Sequence, residues 1–315
     1  MARILANDGI HPSGKARLEA AGHEVQTEHI PMDSISDHLN DWDAIIVRSA
    51  TKVRKEHFDL APNLKMVVRA GVGMDNIDVD YGRTKGVNVT NTPEASSRSV
   101  AELAMAHLLS LSRGLHQSHF HMPTSGAVDF KKLKKNYSSG FELEGKTIGI
   151  IGFGRIGQEL ARICLAMGMN VLAYDLMKEP RNIAIPVEAN GNPVIQVPIF
   201  EMEQLLSESD IISVHVPSVG KALLGEVEIA KMKPGVVLLN TARGGVIDES
   251  ALLAALASGQ VRAAGLDVYD NEPTPNQAIL SHPAISLTPH IGASTAEAQE
   301  KIGLLAADKI IAYFS

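Results

Sequence analysis

The stretch IGIIGFGRIGQELARICLAMG, residues 148–168, decides the fold of this chain. Its apolar, β-branched start predicts a buried strand, and its second half has the spacing of an amphipathic helix. Gly152, Gly154 and Gly157 lie between them at the spacing G-x-G-x-x-G. Such glycines allow a tight turn, a close approach of the backbone to a pyrophosphate, and close contact between helix and strand. Free N–H groups at the start of the helix would then face the phosphates of a bound dinucleotide.

An acidic residue closes the next predicted strand, MNVLAYD (169–175). Asp175 is therefore placed to accept hydrogen bonds from the ribose hydroxyls. A carboxylate repels a 2′-phosphate, and no arginine follows directly at 176 or 177, so the expected cofactor is NAD rather than NADP. The alternative is a glycine turn that only packs a helix on a sheet, with Asp175 solvated. The strand before the glycines and the helix after them favour the dinucleotide site.

Short apolar runs alternate with helical patterns in two successive stretches, which is typical of parallel sheets covered by helices. The fold class is α/β, with two Rossmann-like or flavodoxin-like domains, each a doubly wound parallel sheet, and a cleft between them. The first stretch has four predicted strands: 3–8, 43–49, 64–71 and 87–93. The second has six: 146–151, 169–175, 210–217, 235–242, 263–269 and 284–290.

Two helices are expected to connect these domains. SVAELAMAHLLSLSRGL (99–115) has apolar residues at helical spacing and would join the two halves. A last helix starts at Ser294 with the capping-box spacing S-T-A-E, and its apolar face would return to the first domain. The domains are then 1–98 plus 291–315, which binds substrate, and 99–290, which binds NAD.

Composition excludes several classes of protein. The chain has 315 residues, enough for about two domains. Its net charge of −7 argues against nucleic acid or an anionic membrane as a partner. The single cysteine excludes an internal disulfide, and no Cys/His spacing suggests a metal. Without a signal peptide or a long apolar segment, the chain is expected to be cytoplasmic.

Three later segments carry ionisable residues at predicted strand ends: NTARGG (240–245), LDVYDNEP (266–273) and TPHIGAST (288–295). Together with GFGRIG they resemble the motifs of the D-2-hydroxyacid dehydrogenase family, over essentially the whole chain. The resemblance implies that Arg243 holds the substrate's carboxylate and carbonyl oxygen, as a guanidinium fork can. It implies that His290 is the acid/base and that Glu272 fixes its tautomer and favours its charged form. On residue type alone, a surface arginine, a packing histidine and a loop carboxylate are the alternatives.

The resemblance also implies further cofactor contacts. Arg155 and Ile156 would lie on the pyrophosphate, and His215 and Pro217 beside the adenosine ribose. Thr241 and Asp267 would lie near the nicotinamide, where a carboxylate can accept from the carboxamide NH₂.

Within the family, VRSATKV (47–53), RAGVGMDNID (69–78), NTPEASSRSVAEL (91–103) and ARGGVIDE (242–249) are most similar to the phosphoglycerate dehydrogenase branch. A phosphorylated substrate needs extra positive charge, for which Arg48 and Arg69 are candidates. The hydroxyl and backbone N–H groups around them would add contacts, from Ser49, Gly71, Val72 and Gly73. The alternative for both arginines is an ion pair with Asp75 or Asp78.

The implied reaction is NAD-dependent oxidation of 3-phospho-D-glycerate, the entry to serine synthesis. Another small D-2-hydroxy acid, such as glycerate or 2-hydroxyglutarate, is the first alternative, and an NAD-sensing corepressor-like binding protein is the second. The resemblance implies a homodimer, possibly a tetramer. Four lysines (131, 132, 134 and 135), expected in a loop, are either a solvated face or a contribution to a partner's site. Because the chain stops at Ser315, C-terminal regulatory domains and feedback by serine are not expected.

Overall fold

A computed structural model describes residues 1–186, 191–218 and 220–315. The chain divides into two compact units, Met1–Ser99 with Ala293–Ser315 and Val100–Gly292. The sequence predicts the corresponding divisions at 98/99 and 290/291. We call the two parts unit 1 and unit 2.

Unit 1 is a five-stranded parallel sheet with helices on both faces. Its strands are β1 (Arg3–Ala6), β2 (Glu24–Gln26), β3 (Ala44–Val47), β4 (Met66–Arg69) and β5 (Asn88–Asn91), in the spatial order β2-β1-β3-β4-β5. Its helices are α1 (Pro12–Ala20), α2 (Ile35–His38), α3 (Lys55–Leu60), α4 (Val79–Thr84) and α12 (Ala296–Phe314), with a 3₁₀ turn at Leu39–Asp41. Alternate strand residues enter opposite cores: Ile45 and Val67 on one face, Ile46 and Val68 on the other. This is the strand order of a flavodoxin-like sheet, so the predicted doubly wound fold is confirmed here.

The last helix, α12, completes the second core of unit 1. Ile302 and Ile310 are buried against the strand residues of that face. The helix lies unusually close to α1, because a Cβ at Gly14 would be 2.5 Å from the Gly303 carbonyl oxygen. The predicted start of this helix was wrong by one residue: Thr295, not Ser294, is the N-cap, and its side chain accepts from the Ala298 N–H.

Unit 2 is built on a six-stranded parallel sheet, as predicted, in the spatial order β13-β12-β11-β10-β6-β7. Its strands are β6 (Thr147–Ile151), β7 (Asn170–Tyr174), β10 (Ile211–Val214), β11 (Val236–Asn240), β12 (Val261–Leu266) and β13 (Ile285–Leu287). Its helices include α5 (Ser97–Arg113), α7 (Arg155–Ala166), α8 (Met202–Glu208), α9 (Glu226–Ala230), α10 (Glu249–Ser258) and α11 (Gln277–Leu280). Chain order reverses between β6 and β10, and this crevice is where sheets of this kind bind ligands.

Two features of unit 2 differ from the sequence prediction. Residues 115–136 form a second long helix, α6 (Leu115–Asn136), so the lysines at 131–135 are helical and exposed rather than in a loop. An antiparallel pair, β8 (Arg181–Ala184) and β9 (Val194–Val197), follows β7 and was not predicted. None of the helices in the described part of the chain combines the length and apolarity needed to cross a bilayer.

Candidate active site

The carboxyl ends of the unit 2 strands bring the predicted residues to one edge of the sheet. Val214 on β10 pairs with Ile151 on β6 and with Asn240 on β11, and Asn240 pairs with Leu266 on β12. The residues that follow these strand ends therefore stand side by side. They are Gly152, His215, Thr241 and Asp267, with Asp175 after β7 and Thr288 after β13.

The three glycines of the turn have different reasons to be glycine. Gly152 has φ +91°, and a Cβ there would lie 2.5 Å from the His215 carbonyl oxygen. A Cβ at Gly157 would lie 2.4 Å from the Gly152 carbonyl oxygen. At Gly154, however, a Cβ would meet no described atom within 4 Å. Packing thus explains the first and last glycine, whereas the middle one leaves open space at the start of α7, where a pyrophosphate would lie. Arg155 and Ile156 are the first two residues of that helix.

Asp175 holds the glycine-rich turn in place. One carboxylate oxygen accepts from the Phe153 N–H at 2.7 Å, and the other accepts from the Met177 N–H at 3.1 Å. Asp175 is therefore not merely solvated, as the alternative required. A carboxylate has about four acceptor positions, so these two bonds leave capacity for a ribose hydroxyl.

Two buried polar atoms beside the turn fit a ligand at this edge. His215 Nδ1 and Thr241 Oγ1 have no hydrogen-bond partner among the described residues. Polar atoms of that kind are costly to bury, and a bound polar molecule would satisfy them. Burial lowers the pKa of His215 to about 4, so its imidazole is neutral and offers one donor and one acceptor. His215 Nε2 bonds to Ser213 Oγ at 2.9 Å, while Pro217 is exposed nearby in the chain. These residues and the open space at Gly154 fit NAD.

Asp267 is fully buried, and its carboxylate contacts the segment that carries His290. Its carboxylate accepts from Thr288 Oγ1 at 2.7 Å and from the Ile291 and Gly292 N–H groups, both at 2.8 Å. These contacts hold residues 288–292 against the end of β12. The contact expected between Asp267 and a nicotinamide stays a prediction.

Arg243, Glu272 and His290 line one cavity of about 370 Å³. Glu272 Oε2 bonds to His290 Nδ1 at 2.8 Å, while its Oε1 accepts from the Tyr269 N–H at 2.9 Å. A carboxylate only accepts, so the imidazole proton lies on Nδ1 in the neutral ring and Nε2 is left as the proton acceptor. The arrangement can take a proton from a hydroxyl group beside Nε2.

The electrostatics of this cavity keep Glu272 ionised. Partial burial raises the pKa of the Glu272 carboxyl, but hydrogen bonds from His290 and from Tyr269 N–H outweigh it, together with the charges of His290 and Arg243. The pKa therefore lies below its usual value. The Arg243 backbone is held by the Asn240 side chain, which donates to its carbonyl oxygen at 2.9 Å. The arginine thus lies in a formed site with Glu272 and His290 rather than on an unrelated surface.

Several residues of this region were not predicted. Tyr269, Asp270 and Asn271 also line the cavity, and Asn271 and His290 both have positive φ, 58° and 54°. A second, mainly apolar cavity of about 470 Å³ lies beside Glu272 and His290. It is lined by Pro273, Pro275, Leu280, Leu287 and Pro289 among others. In the sequence, only the prolines of LDVYDNEPTP and of TPH indicate this apolar cavity.

In unit 1, the predicted substrate residues lie at the carboxyl edge of its sheet. Arg69 ends β4, opposite Val47, and Arg48 follows Val47. Gly71 has φ +145°, a backbone conformation that favours glycine, and the Arg69 guanidinium lies where a Cβ would be. Ser49 is exposed, and Val72 and Gly73 are partly exposed. Of the acids named as alternative partners, Asp78 pairs with Arg54, at 3.0 Å.

The part of the chain that the structure describes has no group of three or more His, Cys, Asp or Glu side chains placed to bind a metal ion. The carboxyl edge of the unit 2 sheet combines a glycine turn that leaves space for a dinucleotide with a cavity lined by an arginine and a histidine–carboxylate pair. These features define a class of nicotinamide-dependent oxidoreductases.

Comparison with known proteins identifies the family. Residues 105–292 match the family described as D-isomer specific 2-hydroxyacid dehydrogenase, NAD binding domain. The chain is 44% identical to the hydroxypyruvate reductase of Thermotoga maritima, over 91% of this chain and 90% of that protein. It is 39% identical to the D-3-phosphoglycerate dehydrogenase of Methanocaldococcus jannaschii, over 98% of this chain and 57% of that protein. A solved structure of a glyoxylate reductase from Paecilomyes thermophila has a TM-score of 0.82, with 30% identity, and the match covers 98% of this chain and 93% of that one.

The chain belongs to the D-isomer-specific 2-hydroxyacid dehydrogenase family and carries its NAD-binding domain, in unit 2. It spans only 57% of the length of the Methanocaldococcus jannaschii phosphoglycerate dehydrogenase.

Proposed function

We propose that this protein oxidises 3-phospho-D-glycerate to 3-phosphohydroxypyruvate with NAD, the reaction that opens serine synthesis. The observation that carries the dehydrogenase chemistry is the single cavity lined by Arg243, Glu272 and His290. The similarity to phosphoglycerate dehydrogenases over 98% of this chain supports the substrate.

The residues of the cavity have complementary tasks. Arg243 would bind the substrate carboxylate in a bidentate manner and polarise the neighbouring oxygen, since its fork of donors stays charged. His290 Nε2 would take the hydroxyl proton as the alcohol is oxidised, and Glu272 would stabilise the resulting imidazolium. NAD supplies the acceptor for the hydride when it is bound at the carboxyl edge of the sheet. The reverse direction uses the same groups, with His290 returning the proton.

Arg48 and Arg69 would bind the phosphate group of the substrate. Both lie at the carboxyl ends of neighbouring strands in unit 1, where such sheets bind ligands. A guanidinium binds phosphate through two parallel hydrogen bonds, each charge-assisted.

A second candidate is reduction of hydroxypyruvate or a related small 2-oxo acid. It is favoured by the identity of 44% with a hydroxypyruvate reductase, over 90% of that protein's length. 2-Hydroxyglutarate is a further substrate of the same chemical class. All of these share the carboxylate contact with Arg243 and differ in the group at the other end.

A substrate panel followed by NADH absorbance tests these proposals. It compares 3-phosphoglycerate, glycerate, hydroxypyruvate and 2-hydroxyglutarate, with wild type, Arg48→Ala, Arg69→Ala and the control Arg83→Ala, an exposed arginine of unit 1. We expect each site variant to lose roughly tenfold to hundredfold on the phosphorylated compound only, the scale of one or two charge-assisted hydrogen bonds. Higher kcat/KM on hydroxypyruvate, with no effect of either arginine, would favour the second candidate. No turnover of any compound would favour the corepressor-like alternative.

We also propose that the protein is a homodimer. The observation in favour is α6, which exposes large apolar side chains on its surface. Phe120, Val128 and Phe130 are 74%, 87% and 58% exposed, and large apolar side chains left in contact with water favour burial against a partner. Sedimentation equilibrium of wild type and Phe120→Ser/Phe130→Ser tests it, and a wild-type monomer at micromolar concentration would contradict it.

A further inference from the structure

A buried histidine outside the catalytic cavity is not used by the proposed chemistry. His107 lies on α5 and is 3% exposed. The strand beside it makes room for the ring, since a Cβ at Gly265 would be 2.7 Å from His107 Cβ. Desolvation lowers the pKa of His107, against the opposing charge of Asp267, so the ring is neutral. A neutral imidazole has one donor and one acceptor, and both are engaged here.

The direction of each hydrogen bond around His107 can be deduced by starting from Asp267, at the end of the hydrogen-bond chain. Thr288 Oγ1 donates its only proton to the Asp267 carboxylate, at 2.7 Å, because a carboxylate can only accept. Thr288 Oγ1 must then accept from His107 Nε2, which is 3.0 Å away. His107 Nδ1 is left with a lone pair and accepts from Ser286 Oγ at 2.9 Å. The ring is therefore held as the Nε2–H tautomer.

This chain of hydrogen bonds ends on the segment that carries the proposed acid/base. The same Asp267 carboxylate accepts from the Ile291 and Gly292 N–H groups, which directly follow His290. His290 itself has φ +54°, a left-handed conformation that is unfavourable for residues other than glycine. Such a conformation persists only where the surroundings over-determine it. Hydrogen bonds on both sides of His290 do this.

We propose that His107 is a positioning residue for catalysis: through Thr288 and Asp267 it fixes residues 288–292, and with them the orientation of the His290 imidazole. The inference rests on the proposed function, because it gives His290 the acid/base role. A residue on α5, a helix distant in sequence from the proposed catalytic motifs, would then control where the proton acceptor, His290 Nε2, is placed.

The first test is made by NMR on the protein without cofactor, so it does not depend on turnover. In ¹⁵N-histidine-labelled wild type, His107 should show a slowly exchanging Nε2 proton and an unprotonated Nδ1. The His290 ring resonances should shift in His107→Leu and in the isosteric Thr288→Val. They should stay in place in Leu108→Ala, a control that removes a fully buried side chain next to His107 on α5. An Nδ1–H tautomer, or His290 resonances identical in wild type, His107→Leu and Thr288→Val, would overturn the proposal.

The second test separates positioning from loss of stability. His107→Leu should lower kcat about tenfold with the KM for NAD within about threefold, since small misplacements of a catalytic group cost this much or more. His107→Gln keeps a donor toward Thr288 and should recover much of the loss. Leu108→Ala should lower the Tm but not kcat. Equal kcat for His107→Leu and wild type would refute the inference. Failure of wild type to turn over any 2-hydroxy acid would refute the proposed function instead, while the NMR result still stands.

Discussion

Glu272 connects the backbone of its own loop to the imidazole of His290, which lies on a different loop. One oxygen holds the Tyr269 N–H and the other holds His290 Nδ1. Its charge is thus kept where it is needed to stabilise a protonated imidazole. The proposed chemistry needs three side chains that follow three separate strands and line one cavity, so each of them should be indispensable.

Replacing Arg243 or His290 by alanine should slow turnover by about 10²-fold or more, the usual scale for loss of an oxyanion donor or a general acid/base. The measurement is kcat/KM with the best substrate of the panel. Arg262→Ala is the matched control, because Arg262 is an exposed arginine of the same unit whose guanidinium bonds to the Ser139 carbonyl and stacks on Phe141. A rate within threefold of wild type for either site variant would remove that residue from the mechanism.

His215 should make the stability of the protein depend on pH. Burial lowers its pKa from 6.5 to about 4, so between these values the unfolded chain binds a proton that the folded chain does not. Keeping His215 neutral therefore costs no stability above pH 6.5. As the pH falls toward 4, the free energy of unfolding should decrease, by an amount on the order of 1–3 kcal/mol.

Thermal unfolding at pH 7.5 and pH 5 tests this without added cofactor. We expect wild type to lose several degrees more than His215→Gln between the two pH values. His119→Gln, at an exposed histidine, should behave as wild type. Parallel losses in all three proteins would show that His215 is not responsible.

At the scale of elements, two glycines in the turn between β6 and α7 have different tasks. Gly157 allows close packing, and Gly154 leaves space for a bound dinucleotide. Gly157→Ala should destabilise the protein by about 1–3 kcal/mol, because its Cβ would press on the Gly152 carbonyl oxygen. Gly154→Ala should leave the Tm nearly unchanged, since its Cβ meets open space, but should weaken NADH binding. Fluorescence titration and thermal unfolding of the two variants check this. Unaltered NADH affinity in Gly154→Ala would mean that the pyrophosphate does not lie at this turn.

The strands that were predicted share a clear physical signal. Runs such as AIIV in β3 and VVLL at the start of β11 are fully buried and uniformly apolar. β2 (EVQ) is three residues long and half exposed, which leaves no pattern to detect. The helix α6 buries only Gly126 and Leu133, contains Pro123, and has no continuous apolar stripe, so its extent could not be inferred.

For the site, as for the fold, some features could be predicted from the sequence and others could not. The resemblance of their motifs to those of the family singled out Arg243, Glu272 and His290, and the structure brings all three to one cavity, while their catalytic roles stay predictions. The contacts of Asp267 depend on which loop lies against it after folding, so its partners at residues 288–292 could not be read from spacing. His107 is one more residue on an apolar helical face until tertiary structure places Ser286 and Thr288 beside its ring.

At the scale of the whole molecule, each unit has its own hydrophobic cores. A fragment of residues 100–292 should therefore fold cooperatively and bind NADH within about tenfold of the full chain, as a self-contained domain does. A fragment of residues 1–99 should lack stable structure, because Ile302, Ala306 and Ile310 of α12 fill one of its cores. Circular dichroism and NADH titration decide both, and adding 293–315 through a linker should restore the second fragment. A stable fold of 1–99 alone would show that α12 is dispensable.

The close contact of α12 with α1 also bears on how the protein is made. The first 99 residues are synthesised well before α12, which covers one face of their sheet. That apolar face therefore stays uncovered while nearly 200 further residues are added. Unit 2 can mature first, as it emerges. The first 99 residues are then expected to be the part most prone to aggregation during synthesis, until α12 is available to cover them.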